Sequence, residues 1–158
     1  MKKYIALVLS ILMLLLPACA SNSGSDNTDA DTNSSEQITE ISLDKLLDSG
    51  WTQNEGTYEW SETSDYRKLD LAVSVEQNDL IIVIDNDYGD NNKSMEAAYK
   101  EDESLAAGMA ARWFADVESI TEETFDNMRY TVKVGGNVVA SGGMTADAAQ
   151  DNAAEYDD

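Results

Sequence analysis

The run of residues best suited to metal chemistry lies between a predicted strand and a predicted helix. It reads Asp85-Asn86-Asp87-Tyr88-Gly89-Asp90-Asn91-Asn92. Closely spaced carboxylate and amide oxygens suit calcium, and an EF-hand loop that began at Asp85 would have Glu96 as its last ligand. Its turn glycine, Gly89, stands one position too early, which favours weak binding at most. An ordinary turn is the alternative, because Asp and Asn favour turns. The candidate metal ligands are Asp85, Asp87, Asp90 and Glu96.

Catalytic chemistry has little support in the residue types. The chain has no His, which is the commonest general base. A hydroxyl such as that of Ser141 therefore has no imidazole to activate it. Carboxylate pairs such as Asp85 and Asp87 could perform acid–base chemistry, but 31 acidic residues produce such pairs by chance. We predict that the protein is not an enzyme and has no cofactor, and a carboxylate-based hydrolase is the weakest alternative.

Charge restricts the class of partner. The chain carries ten basic and 31 acidic residues, a formal net charge of −21 at neutral pH. Such a field repels nucleic acid and anionic lipid headgroups, and it favours cations or basic partners. We therefore predict no nucleic-acid partner.

The single cysteine, Cys19, follows a segment typical of an export signal. Two lysines near the start precede an apolar run at residues 5–16, which is too short to span a bilayer. The sequence Leu16-Pro17-Ala18-Cys19 resembles the lipobox of bacterial lipoproteins. The resemblance implies that residues 1–18 are a lipoprotein signal peptide and that Cys19 becomes the lipidated N-terminus. An ordinary secretory signal with a chance cysteine is the alternative.

The layout of the chain resembles that of small lipoproteins of Gram-positive bacteria, in which a domain of unknown function follows a tether. Residues 19–37 hold Cys19 and a polar stretch that predicts a disordered tether. A folded domain is predicted at residues 38–144 and a loose acidic tail at residues 145–158. The resemblance implies a lipid anchor on the extracytoplasmic face of the cell membrane, with an unknown extracellular protein or ligand as partner.

The one long helical pattern spans residues 94–120. Its apolar residues recur with a period of about 3.6, and they include Met109, Trp113 and Val117. Asp102 interrupts the pattern. The stretch from residue 105 to residue 120 would be about 24 Å long, close to the length of a strand of about seven residues. We therefore expect this helix to lie across a sheet, with Trp113 in the core.

Two hairpin patterns flank the helix. The first turns at Gln77-Asn78, and a two-residue turn there pairs Val75 with Leu80, Val73 with Ile82, and Leu71 with Ile84. The second turns at Gly135-Gly136, between strands near residues 128–134 and 137–144. The predicted fold is α+β in the order ββαββ, one long helix packed on a four-stranded, mostly antiparallel sheet. The order of the strands in the sheet stays open.

Three aromatic residues precede the first hairpin and either form a ligand platform or pack on the domain. The alternation of strand residues places Ile81 and Val83 side by side on the sheet face opposite the helix, and an exposed apolar patch of this kind often marks a contact site. We predict that the aromatic segment folds over this patch beside Arg129 and Lys133. The candidate binding residues are Trp51, Tyr58, Trp60, Ile81 and Val83.

Together these patterns predict a membrane-anchored extracellular lipoprotein that is a binding or structural module of unknown ligand. A calcium-dependent surface module is the alternative.

Overall fold

The computed structural model describes residues 41–156. These residues form a six-stranded mixed sheet with helices on one side. The strands are β1 (Thr52–Asn54), β2 (Thr57–Thr63), β3 (Lys68–Glu76), β4 (Asp79–Asp87), β5 (Asn127–Val134) and β6 (Asn137–Thr145). They follow one another in the sheet in the order of the chain. The helices are α1 (Lys45–Asp48), α2 (Asn92–Glu101), α3 (Glu103–Thr121) and α4 (Ala146–Tyr156), with a short 3₁₀ turn at Gly89–Asn91.

The pairing of β4 with β5 is parallel, whereas all other neighbours in the sheet are antiparallel. Parallel neighbours need a long crossover connection, and α2 and α3 supply it. Helix α3 contacts both of the strands that it connects. The other three helices each contact α3. The helices therefore share one side of the sheet, which we call the helix face.

The turn length and the apolar pattern predict the β3–β4 register correctly. Val75 pairs with Leu80, Val73 with Ile82, and Leu71 with Ile84. The positive φ in this turn falls on Gln77 (58°), not on Asn78. The second hairpin also turns where predicted, since Gly135 and Gly136 have φ angles of 56° and 84°. Such angles suit glycine because it has no Cβ to clash with the backbone.

The prediction of a four-stranded sheet with one long helix is wrong. The structure is α+β, but it adds the hairpin β1–β2 at one edge of the sheet. It also divides the long helix at Asp102, whose backbone is extended (φ −131°, ψ 94°). The Asp102 carboxylate accepts a hydrogen bond from the Ser104 amide at 3.0 Å and so caps the start of α3. The residue that interrupts the apolar pattern therefore ends one helix and begins the next.

The segment after residue 144 was predicted to be a loose tail, but most of it forms α4. Its buried face consists of small residues, Ala149 and Ala153, and the helix packs on α3. Small side chains one helical turn apart let two helices approach closely. Gln150 also donates a hydrogen bond to Glu118 of α3 at 2.9 Å.

The core lies between α3 and the helix face of the sheet. Phe114, Val117, Ile82, Ile84 and Val132 are fully buried there. Trp113, predicted to be a core residue, packs against this core but is only partly buried. Phe114, the next residue along α3, occupies the fully buried position. The buried stripe of the helix is thus rotated from the predicted one.

Candidate functional site: the open face of the sheet

Three of the four candidate metal ligands accept hydrogen bonds from separate donors. Asp87 accepts hydrogen bonds from the Asn92 side chain and the Gly89 amide, both at 2.9 Å, and these bonds lower the pKa of its carboxyl. Asp85 accepts from the Gly136 amide at 3.0 Å. Glu96 accepts from the Asn137 side chain at 3.0 Å.

The fourth candidate, Asp90, is exposed in the 3₁₀ turn. Among residues 41–156, no group of three or more acidic residues is placed to hold a metal ion. The carboxylates of the loop instead stabilise the turn into α2 and the turn between β5 and β6.

The three aromatic residues of the N-terminal segment do not cover the reverse face of the sheet, so that prediction is wrong. Tyr58 pairs with Val73 and Trp60 with Leu71, which places both rings on the helix face. There Trp60 lies between Trp51 and Trp113, with ring-centroid distances of 6.3 and 5.6 Å. The alternation of Tyr58 and Trp60 with polar residues was the sequence signal for a strand with this orientation.

Tyr58 is the centre of a hydrogen-bond network. Its hydroxyl donates to the Asp44 carboxylate and accepts from the Gln53 side chain at 2.8 Å. Burial of the ring, the hydrogen bond to Asp44 and the negative charge of Asp44 raise the pKa of Tyr58 to about 12. The network ties the segment before α1 to the hairpin β1–β2.

We predict that this network makes stability depend on pH in the alkaline range. Tyr58→Phe should lower the free energy of unfolding by about 1 kcal/mol below pH 10, because the hydrogen bond to Asp44 is lost. The folded state holds the phenol proton more tightly than the unfolded chain, whose tyrosine pKa is near 10. The difference in free energy of unfolding between the wild type and Tyr58→Phe should therefore shrink as the pH rises from about 10 to about 12. Urea unfolding from pH 8 upward measures it.

The control for this experiment is Tyr66→Phe. Tyr66 is 78% exposed, so removal of its hydroxyl should leave the free energy of unfolding unchanged at every pH. A difference between wild type and Tyr58→Phe that does not narrow with pH would contradict the prediction.

The face of the sheet opposite the helices is the candidate functional site, and we call it the open face. Residues on it alternate with fully buried neighbours, as Ile81 and Val83 of β4 do with Ile82 and Ile84. Strand pairing fixes its members. They are Glu59, Ser61, Lys68, Asp70, Ala72, Ser74, Ile81, Val83, Asp85, Arg129, Thr131, Lys133 and Ser141.

The open face has an apolar centre and an acidic margin on its β2–β4 side. Ala72 and Val83 are paired at the centre, and both remain partly exposed. Beside them lies a shallow depression of about 260 Å³. It is lined by Glu59, Ser61, Asp70, Leu71, Ala72, Val83 and Asp85.

Of the three cations on the open face, Lys68 and Arg129 are ion-paired, whereas Lys133, the register partner of Asp85, makes no ion pair in the described part of the chain. Lys68 contacts Asp70 at 2.7 Å, and this contact, with a hydrogen bond from Ser61, lowers the pKa of Asp70. Arg129 pairs with Glu76 and with Asp79. Among residues 41–156, Asp85 and Glu59 make no ion pair with any of these three cations. The depression therefore presents the carboxylates of Glu59 and Asp85, which have no ion pair, beside an apolar floor.

Sequence reasoning found part of this face. Ile81 and Val83 were assigned to the face opposite the helix, and the structure places them there, without the aromatic cover that we expected. The depression was missed because Glu59 and Ser61 belong to β2, a strand that was not predicted. The alternation of these residues with Tyr58 and Trp60 was the signal that could have found it.

Comparisons with protein-family models, curated proteins and solved structures give no match. No helix within residues 41–156 is long and apolar enough to cross a membrane. Cys19 and the lipobox-like sequence lie outside the described residues.

Proposed function

We propose that the protein is a lipoprotein, anchored through Cys19 on the extracytoplasmic side of the cell membrane, whose folded domain binds a basic protein partner. The anchoring part of the proposal is supported by the lipobox-like sequence before Cys19. Two acyl chains on one N-terminus are enough for stable attachment. The proposal gives the domain a binding role and no catalytic one.

The open face carries the binding part of the proposal. A sheet normally buries both faces or leaves one polar face in water. Here the exposed face has partly exposed Ile81, Val83 and Ala72 at its centre. Apolar residues grouped inside a polar margin are typical of protein contact sites.

Charge supports a basic partner. The depression on the open face is bordered by Glu59 and Asp85, which have no ion pair in the described part of the chain, and by Asp70, which is paired with Lys68. The whole chain has a net charge of −21. A basic partner would be attracted over long distances and an acidic one repelled. A partner segment that alternates lysine with aliphatic residues would fit the acidic margin and the apolar centre at once.

The anchor is tested in cells with Cys19→Ser. Without a cysteine to lipidate, the protein should leave the membrane fraction or retain its leader, and cell fractionation with mass measurement distinguishes these products. If the variant stays in the membrane with its leader removed, the anchoring proposal fails.

The binding surface is tested on the mature chain carrying Cys19→Ser, with a synthetic peptide of alternating lysine and valine. Val83→Lys places a positive charge, like those of the peptide, at the apolar centre of the open face. It should weaken peptide binding about tenfold, which is about 1.4 kcal/mol in binding free energy. The matched control is Leu105→Lys on α3, which makes the same charge change at an exposed position away from the open face. Equal losses in both variants would show attraction by net charge alone and would contradict the proposed surface.

A further inference from the structure

The two edges of the sheet differ in length. Strand β1 forms one edge with only three residues, and β6 forms the other with nine. A short edge strand offers little backbone for another chain to pair with, whereas a long one is a template for an added strand. Within residues 41–156, β6 has β5 as its only strand neighbour.

The pairing of β5 with β6 shows which backbone groups point away from the sheet. The Ala146 amide donates to the Asp126 carbonyl at 3.1 Å, just beyond the last paired residues. Hydrogen-bonded and non-hydrogen-bonded pairs alternate along an antiparallel ladder. The residues of β6 that pair with β5 without hydrogen bonds are therefore Ser141, Gly143 and Thr145. Their amide groups, with the carbonyls of Ser141 and Gly143, are directed outward.

The side chains along this edge leave room for a partner strand. Residues 141–143 of β6 are exposed and small. Gly142 has a local reason to be glycine, because a Cβ there would lie 2.8 Å from the Tyr130 hydroxyl. The devices that blunt natural sheet edges are proline, lysine and bulges. The bulge of β6 lies nearer the β5–β6 turn, and residues 140–145 contain neither proline nor lysine.

The charge beside this edge argues against self-association. Helix α4 follows β6 directly and carries exposed Asp147, Asp151 and Glu155. Two copies paired through β6 would bring these acidic helices and two strongly negative chains together. A cationic segment would instead be attracted to the same place.

We infer that an extended, cationic segment of the partner protein pairs with β6 along residues 141–145 as a seventh strand. In this mode of recognition the main chain supplies the affinity and alternate side chains supply the specificity. Alternate side chains of the added strand would continue the open face beside Ser141. The inference rests on the proposed binding function and names the edge and the form of the partner.

The experiment uses the mature chain carrying Cys19→Ser and the same lysine–valine peptide. Ser141→Pro removes an outward amide that β5 does not use, and the matched control Ser141→Ala keeps that amide. We expect Ser141→Pro to bind the peptide about tenfold more weakly than Ser141→Ala, because the two variants differ in this backbone amide. Hydrogen exchange of the Ser141 and Gly143 amides should slow when the peptide binds the unsubstituted chain.

A second probe keeps the test decisive if Ser141→Pro fails to fold. The peptide methylated on alternate backbone nitrogens keeps its charge but cannot donate to the sheet edge, so it should not bind. One outcome would be that both peptides bind equally, that the Ser141 and Gly143 amides stay unprotected from hydrogen exchange, and that the Ala72 and Val83 amides become protected. This outcome would overturn the edge inference and leave the proposed function standing. If neither peptide binds, the edge inference and the proposed binding function both fail. If sedimentation shows a dimer that Ser141→Pro dissociates, β6 pairs with a second copy and the inference is again overturned.

Discussion

Phe114→Ala is expected to lower the free energy of unfolding by about 3–5 kcal/mol. The Phe114 side chain is fully buried where α3 crosses the sheet, and its ring centroid lies 5.9 Å from that of Phe125 in an edge-to-face arrangement. Truncation would leave a cavity between helix and sheet that the surrounding strands cannot close without moving. Domains of this size are commonly stable by about 5–15 kcal/mol, so the variant should lie close to the limit of folding. Urea unfolding followed by circular dichroism measures the loss.

The matched control for Phe114 is Leu105→Ala on the same helix. Leu105 begins the stretch of residues 105–120 that was expected to lie across the sheet, but it is 40% exposed in the structure. Its truncation should cost less than about 1 kcal/mol, because it makes no comparable cavity. Similar losses in the two variants would contradict the orientation of α3 described above.

Asn86→Asp is expected to be the second most disruptive substitution. Asn86 is fully buried on the helix face of β4, and its side-chain amide donates to the Met109 sulfur at 3.6 Å. Its side-chain oxygen has no hydrogen-bond partner in the described part of the chain. A carboxylate at this position would lose its hydration without gaining a counterion, so burial should raise its pKa. The expected loss is about 4 kcal/mol at pH 7, equivalent to a pKa difference of about three units.

The pH dependence of Asn86→Asp identifies the cause. With the folded pKa raised above the unfolded one, the variant is least impaired below about pH 4 and loses stability as the pH rises toward neutral. The control is Asn86→Leu, which has a similar volume and no unpaired oxygen, and it should be neutral or slightly stabilising. A pH-independent loss in Asn86→Asp, or a large loss in Asn86→Leu, would show that the Asn86 amide stabilises the fold through more than its hydrogen bond to the Met109 sulfur.

Local patterns in the sequence determined the parts of this fold that depend on neighbouring residues. Turn length and alternation predicted the register of β3 with β4, and the two glycines at 135 and 136 predicted the second hairpin. The same alternation placed Ile81 and Val83 on the face opposite the helices. These features follow from the chemistry of short segments, because a two-residue turn and a period of two leave only one register that buries the apolar side chains.

The tertiary structure alone decided the features that depend on pairing between distant segments. Strand β2 alternates aromatic and polar residues, which is a local signal for a strand, but only the tertiary structure decides that it pairs with β3. Asn86, assigned to a metal-binding loop, instead continues β4 into the core, because its neighbours on β3 and β5 extend that far. The acidic segment after residue 144 became a helix because α3 offers a surface on which its alanines can be buried.

The candidate site also has one part that the sequence predicted and another that only the tertiary structure decided. Its apolar centre was visible in the sequence, because it depends on alternation within β4. Its acidic margin required the β2–β3 pairing, and the free edge at Ser141 and Gly143 required knowing that β6 ends the sheet and β1 begins it. Local sequence determines which side a strand residue faces, but only the order of the strands determines which residues meet across the sheet and which backbone groups remain unpaired.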